Sequence, residues 1–119
     1  MPNIYVQGLE REETRELSRL ATDYFEAELG LPREHVFVFH REVVLFRDGV
    51  EAPQPVILVV SWIRRPPEVF PHVAEGLTRL VRDGLGLGDR TVQVELHEKW
   101  DDAAVDGRLC SQWASANRS

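Results

Sequence analysis

Leu29-Gly30-Leu31-Pro32-Arg33-Glu34-His35-Val36-Phe37-Val38 has a counterpart 56 residues further on, where Leu85-Gly86-Leu87 and then Val92 and Val94 take the matching places. In both copies a helical pattern ends at a glycine and an alternating apolar segment follows. Before Gly30, the residues Leu17, Leu20, Ala21, Tyr24, Phe25 and Leu29 recur at three- and four-residue spacing, which puts them on one helix stripe. Glu10, Glu12 and Glu13 sit where the positive end of that helix dipole favours them. Pro32 forbids continuation past Gly30. Before Gly86, the residues Phe70, Val73, Leu77, Leu80, Val81 and Leu85 form a second stripe, predicting a helix over 67–85.

Each copy also opens with a strand. Ile4 and Val6 alternate with Asn3, Tyr5 and Gln7, and the segment 56–63 is the most apolar in the chain. Fixed spacing of like elements points to duplication. The chain therefore reads as an α/β protein of two tandem βαβ units (βαββαβ), about 2–47 and 56–97, within a domain spanning 1–100. Such crossovers are right-handed and join parallel strands, giving a four-stranded sheet with two helices on one face. Residues 36–39 are too apolar for a solvent-facing strand and are expected to be buried. His40-Arg41-Glu42 interrupts that strand, 43–46 resumes it, Asp48-Gly49 makes a turn, and 50–55 is a loop with two prolines. Residues 101–119 form a polar tail. Because 36–39 and 56–63 are apolar on both sides, the uncovered sheet face needs a partner, and a homo-oligomer is expected.

Composition excludes several classes. Fourteen Lys and Arg against 20 Asp and Glu leave a net charge of −6, a poor footing for nucleic acid or an anionic membrane surface. The longest apolar run falls far short of the ~20 residues needed to span a bilayer. The N-terminus lacks the basic and apolar regions of a signal segment. Cys110 is the only cysteine, so no intramolecular disulfide forms and a cytoplasmic setting is expected. His35, His40, His72 and His97 show no metal-ligand spacing, although His40 and His97, both near strand ends, could approach each other. No metal and no cofactor is expected. Gly84-Leu85-Gly86-Leu87-Gly88 ends a helix, whereas a phosphate cradle begins one.

Pro2 carries the chemistry. Initiator methionine is removed before small residues, which would expose the secondary amine of Pro2 at the start of a core strand. An apolar setting disfavours the charged amine and lowers its pKa, so that it can act as a general base near neutrality. Met1-Pro2-Asn3-Ile4-Tyr5-Val6, the repeat, residues 30–36 and Leu85-Gly86-Leu87-Gly88-Asp89-Arg90 together resemble the tautomerase superfamily. That superfamily includes 4-oxalocrotonate tautomerase, 5-carboxymethyl-2-hydroxymuconate isomerase and macrophage migration inhibitory factor. The resemblance covers about 2–100 and looks closest to an uncharacterised bacterial branch.

The resemblance implies a trimer and a keto–enol tautomerase or isomerase with Pro2 as base on a small carbonyl substrate such as a 2-oxo acid. It implies cations that hold the substrate carboxylate or an enolate, a task that suits planar guanidinium. Arg11 follows the first strand near a family arginine, with a one-residue gap. Arg41 lies in the polar interruption near another. Arg64 and Arg65 end the strand whose terminus the family brings near the proline. Trp62 aligns with an apolar pocket wall that would lower the pKa of Pro2, or else simply packs in the core. His40 and Glu42 are a polar bulge or a second acid and base. Leu31 stands where the migration inhibitory factor has a lysine, with Arg33 close by. Gln93 and Glu95, or Val92 and Val94, replace a tyrosine and an asparagine. Trp100 and Trp113 could anchor the tail on a neighbouring subunit.

Two alternatives share the element order. One is a non-catalytic oligomer of the same fold, and the other is a ferredoxin-like regulatory or binding domain with an antiparallel sheet.

Overall fold

The computed structural model describes residues 2–99 and 104–109. Strand β1 (Asn3–Gln7) leads into helix α1 (Arg11–Leu29) through Gly8 and Leu9. The Glu13 carboxylate accepts the Glu10 N–H at 2.8 Å, satisfying a donor at the helix entry. At the other end Gly30 turns left-handed (φ 65°), and the N–H groups of Gly30 and Leu31 bond the carbonyls of Glu26 and Phe25. A single 3₁₀ turn (Arg33–His35) delivers the chain to β2 (Phe37–His40). Strand β5 (Val56–Ile63), helix α2 (Val69–Arg79), a π-helical turn (Leu80–Gly84) and β6 (Val92–Lys99) repeat the plan.

The sheet order is β2-β1-β5-β6. Within each unit the strands are parallel, with Ile4 beside Val38 and Leu58 beside Val94. The two units meet antiparallel across β1 and β5, with Ile4 beside Val60. Two parallel outer pairs exclude the ferredoxin-like alternative, which requires an antiparallel sheet. They also make the two units relate by a local two-fold, as a duplicated βαβ sequence predicts.

Alternation then decides what is inside. Ile4, Val6, Val56, Leu58, Val60 and Trp62 point to one face and pack with Leu17, Ala21 and Phe25 of α1 and Val73, Leu77 and Val81 of α2. Both helices therefore cover that face. Phe25 meets Trp62 edge to face at 5.6 Å. Tyr5, Phe37, Phe39, Ile57 and Val59 belong to the other face, which no element of the described residues covers. Here the expectation of a buried strand at 36–39 is corrected. Strand β2 is an edge strand, and its odd residues face outward, so Phe37 and Phe39 are 43% and 44% exposed. Tyr5 stacks on Phe39 at 4.9 Å across the β1–β2 register.

Two further corrections concern short strands. The segment read as a resumed strand followed by a loop is a separate hairpin, β3 (Leu45–Arg47) paired antiparallel with β4 (Val50–Ala52). Asp48 and Gly49 both have positive φ (51° and 78°), the backbone of a two-residue hairpin turn. Asp106 and Gly107 (φ 52° and 78°) do the same between β7 (Ala104–Val105) and β8 (Arg108–Leu109), so the expected tail contains a hairpin. Expectations for Met1, Trp100, Cys110 and Trp113 lie outside the described residues.

Candidate active site at the second residue

Pro2 precedes β1 and its side chain is fully buried. Its carbonyl accepts the Phe37 N–H at 3.2 Å, which ties the start of β1 to the start of β2. The antiparallel register, continued one residue beyond Asn3–Ser61, sets Pro2 opposite Trp62. Trp62 in turn stands beside Glu98 on β6. Pro2, Trp62 and Glu98 thus form one row across three strands. At about 4.8 Å per strand, the row places Glu98 roughly 10 Å from Pro2.

The row ends the sheet where β5 runs into Arg64 and Arg65. Arg64 Nε donates to Glu98 Oε2 at 3.2 Å. The guanidinium of Arg65 lies 4.5 Å over the Trp62 ring, and lost hydration there lowers its pKa. Arg65 has no carboxylate partner among the described residues. The indole N–H of Trp62 is buried with no acceptor among the described residues, a cost of about 1–3 kcal/mol. Trp62, Ile63, Arg65, Phe70, Leu96 and Glu98 line, with Val69 and three prolines, a cavity of about 230 Å³.

The predicted site residues thus divide. Pro2, Trp62, Arg64 and Arg65 gather at one end of the sheet. Arg11 is exposed at the first turn of α1, beyond the opposite end of β1. Arg41 lies at that far end too, where its N–H bonds the Val6 carbonyl at 2.8 Å and its guanidinium caps the Tyr5 ring at 4.2 Å. Neither is near Pro2 of the same chain. Arg33, beside the place of the absent lysine, is held by Asp23 (2.7 Å) and Glu26 (3.1 Å), whose hydrogen bonds raise its pKa.

His40 Nδ1 lies 2.8 Å from the buried Thr14 hydroxyl, and its Nε2 is 3.5 Å from Glu42. This trio pins β2 to α1 at the end remote from Pro2. The suggested approach of His40 to His97 is overturned, because β2 and β6 are opposite edges of the sheet. Among the described residues no cluster of His, Cys, Asp or Glu could hold a metal. No helix there is long and apolar enough to cross a membrane.

Sequence reasoning did not find Glu98. It carried no signal as a lone glutamate on an alternating strand, and only the β5–β6 register sets it beside Trp62.

No protein-family model and no curated protein matches the chain. Solved structures do. A domain of unknown function (DUF1904) from Sebaldella termitidis superposes with a TM-score of 0.80 at 24% identity, covering 92% of this chain and 99% of that one. The protein Pt0534, captured after inactivation by 2-oxo-3-pentynoate, gives a TM-score of 0.69 at 19% identity over 94% and 97%. A fused 4-OT asymmetric trimer gives 0.72 at 16% identity over 94% and 97%. At such identities the likeness is one of fold. With two parallel βαβ pairs joined antiparallel, the chain shares the fold of the fused 4-OT trimer and of the DUF1904 domain, the fold that the resemblance to the tautomerase superfamily implies.

Proposed function

We propose that the protein is a keto–enol tautomerase or isomerase acting on a small 2-oxo acid, with the amine of Pro2 as general base. While Met1 is attached, the Pro2 nitrogen is an amide with no basicity. Removal of Met1 turns it into a secondary amine at the start of β1, opposite Trp62 in the β1–β5 register. Low local polarity there favours the neutral amine. The amine takes a proton from the carbon next to the carbonyl, the bond's electrons pass to the carbonyl oxygen, and the proton returns at oxygen or another carbon. Arg64 and Arg65 follow Trp62 after a single residue, Ile63, and their guanidinium groups suit the carboxylate and the developing enolate. The observation that carries this reading is the full burial of Pro2 opposite Trp62.

The working unit is a homo-oligomer, a trimer as in the fused 4-OT neighbour. The uncovered sheet face, with Tyr5, Phe37, Phe39, Ile57 and Val59, supplies an apolar contact surface. Arg11, exposed on the first turn of α1, and Arg41, over the Tyr5 ring, are both remote from their own Pro2 and serve the site of a neighbouring copy. The protein works in the cytoplasm. A non-catalytic oligomer is the second reading, favoured by the Arg64–Glu98 pair, which ties up one of the two arginines.

Nitrogen-15 NMR titration of untagged protein, with intact mass confirming loss of Met1, tests the base. The expected result is an amine titrating well below an ordinary prolyl value, a shift that vanishes on unfolding, together with covalent labelling of Pro2 by 2-oxo-3-pentynoate. An unshifted amine, or Met1 retained, would sink the tautomerase reading and leave the oligomer.

A further inference from the structure

The 230 Å³ cavity beside Trp62 is smaller than the roughly 300–1,000 Å³ of drug-sized sites, so its occupant is small. Its walls are unlike one another. Trp62, Ile63, Val69, Phe70 and Leu96 are apolar, and Pro66, Pro67 and Pro71 add rigid apolar surface with no side-chain donors. Arg65 is the one lining cation, and its charge meets no carboxylate among the described residues. Glu98 is the one lining anion, held by Arg64. The cavity therefore offers one anion-seeking point, one anion-repelling point, and grease between them.

We infer that this cavity takes a small monocarboxylate with an apolar arm, its carboxylate on Arg65 and its arm against Trp62, Phe70 and Leu96, and that Glu98 turns away dicarboxylates. A second carboxylate reaching across the pocket would meet Glu98, and like charges in a partly dry site repel strongly. A planar aryl or short branched arm matches the lining. That the cavity is the substrate's own subsite rests on the tautomerase reading, since Trp62 stands between it and Pro2. Its choice of ligand does not.

The test separates the two. Hydrocinnamate and glutarate, neither of which can turn over, are titrated into the protein while the indole N–H resonance of Trp62, assigned by its loss in Trp62→Phe, is followed by NMR. Hydrocinnamate is expected to bind at least tenfold more tightly than glutarate. Arg65→Gln is expected to weaken hydrocinnamate at least tenfold, with Arg65→Lys recovering part of the loss. Glu98→Gln should leave hydrocinnamate within about twofold and narrow its margin over glutarate. Equal binding of the two acids, or hydrocinnamate binding indifferent to Arg65→Gln, overturns the inference. Deuterium exchange next to the carbonyl of phenylpyruvate is measured in parallel. Selective binding without exchange supports the cavity and removes the tautomerase; exchange without selective binding does the reverse.

Discussion

Arg90 Nη2 lies 2.8 Å from the carbonyl of Gly8 and 2.8 Å from that of Gln54, so one guanidinium donates to the exit of β1 and the approach to β5. It comes from the turn before β6. Three segments remote in sequence are thereby joined at the end of the sheet opposite Pro2. Hydrogen bonds from a charged donor contribute about 1.5–3 kcal/mol, and both carbonyls are left short of a partner when the donor goes. Arg90→Met is therefore expected to lower unfolding free energy by about 2–3 kcal/mol in urea titration. A loss under half a kilocalorie per mole would show that solvent replaces the guanidinium freely.

Gly8 is constrained as well as bonded. Its φ is +89°, and a Cβ there would stand 2.1 Å from the Pro55 carbonyl oxygen, which is backbone and cannot step aside. Strain and overpacking each cost about 1–3 kcal/mol, so Gly8→Ala is expected to destabilise by about 2–5 kcal/mol. Gly30 is the control. It also has positive φ (+65°), but nothing lies within 4 Å of its Cβ position. Gly30→Ala should cost only the left-handed conformation, about 1–2 kcal/mol. Equal losses in the two variants would mean that the Pro55 contact relaxes.

Much of this fold was legible because periodicity is a backbone property. Leu17 through Leu29, Phe70 through Val81, and the alternation in β1, β5 and β6 each follow from one residue's neighbours along the chain. The Gly30 and Gly86 stops were legible for the same reason. Phe37 and Phe39 were misread because an edge strand and a central strand can have the same apolar sequence. Which it is depends on strand order, a non-local fact. The hairpin at Asp106-Gly107 carried a readable turn signal, masked by the polar residues around it. At the candidate site, Pro2, Trp62, Arg64 and Arg65 were named from the Met-Pro start and the family resemblance, and the β1–β5 register brings them to one end of the sheet. Glu98 and the exhaustion of Arg33 by Asp23 and Glu26 depend on register and side-chain reach.

Tyr24 gives a pH-dependent signature. Its hydroxyl donates to the His72 carbonyl at 3.1 Å, and burial, reinforced by the charge of Glu28, raises its pKa above 10.0. Arg79 opposes this and Glu75 adds to it, both weakly. A raised pKa in an acid means that the folded state holds the proton more tightly than the unfolded one. The resulting stability is complete below the unfolded value and is lost as pH rises through the folded value. Ultraviolet titration is expected to show Tyr24 ionising late, assigned by its absence in Tyr24→Phe. That variant should also show a shallower alkaline loss of stability than the parent. A tyrosine ionising at its ordinary value in the folded protein would contradict the packing of Tyr24 against α2.

The apolar sheet face makes the strongest demand on the assembly. Tyr5 and Phe39 stack there with Arg41 over the tyrosine, and Phe37 is 43% exposed in the single chain. A continuous apolar surface of this kind marks a contact with another molecule. Phe37→Lys and Phe39→Lys place charges on that face without touching the buried side of β2. Sedimentation should show the parent as a trimer and the double variant as a monomer that keeps its far-ultraviolet circular dichroism. If Arg11 and Arg41 serve the site of a neighbouring copy, proton exchange on a 2-oxo acid should fall at least tenfold with the trimer, and Trp62-reported hydrocinnamate binding should persist because every lining residue belongs to one chain. A monomeric double variant with full exchange activity would place the whole site within a single copy and dismiss Arg11 and Arg41 from it.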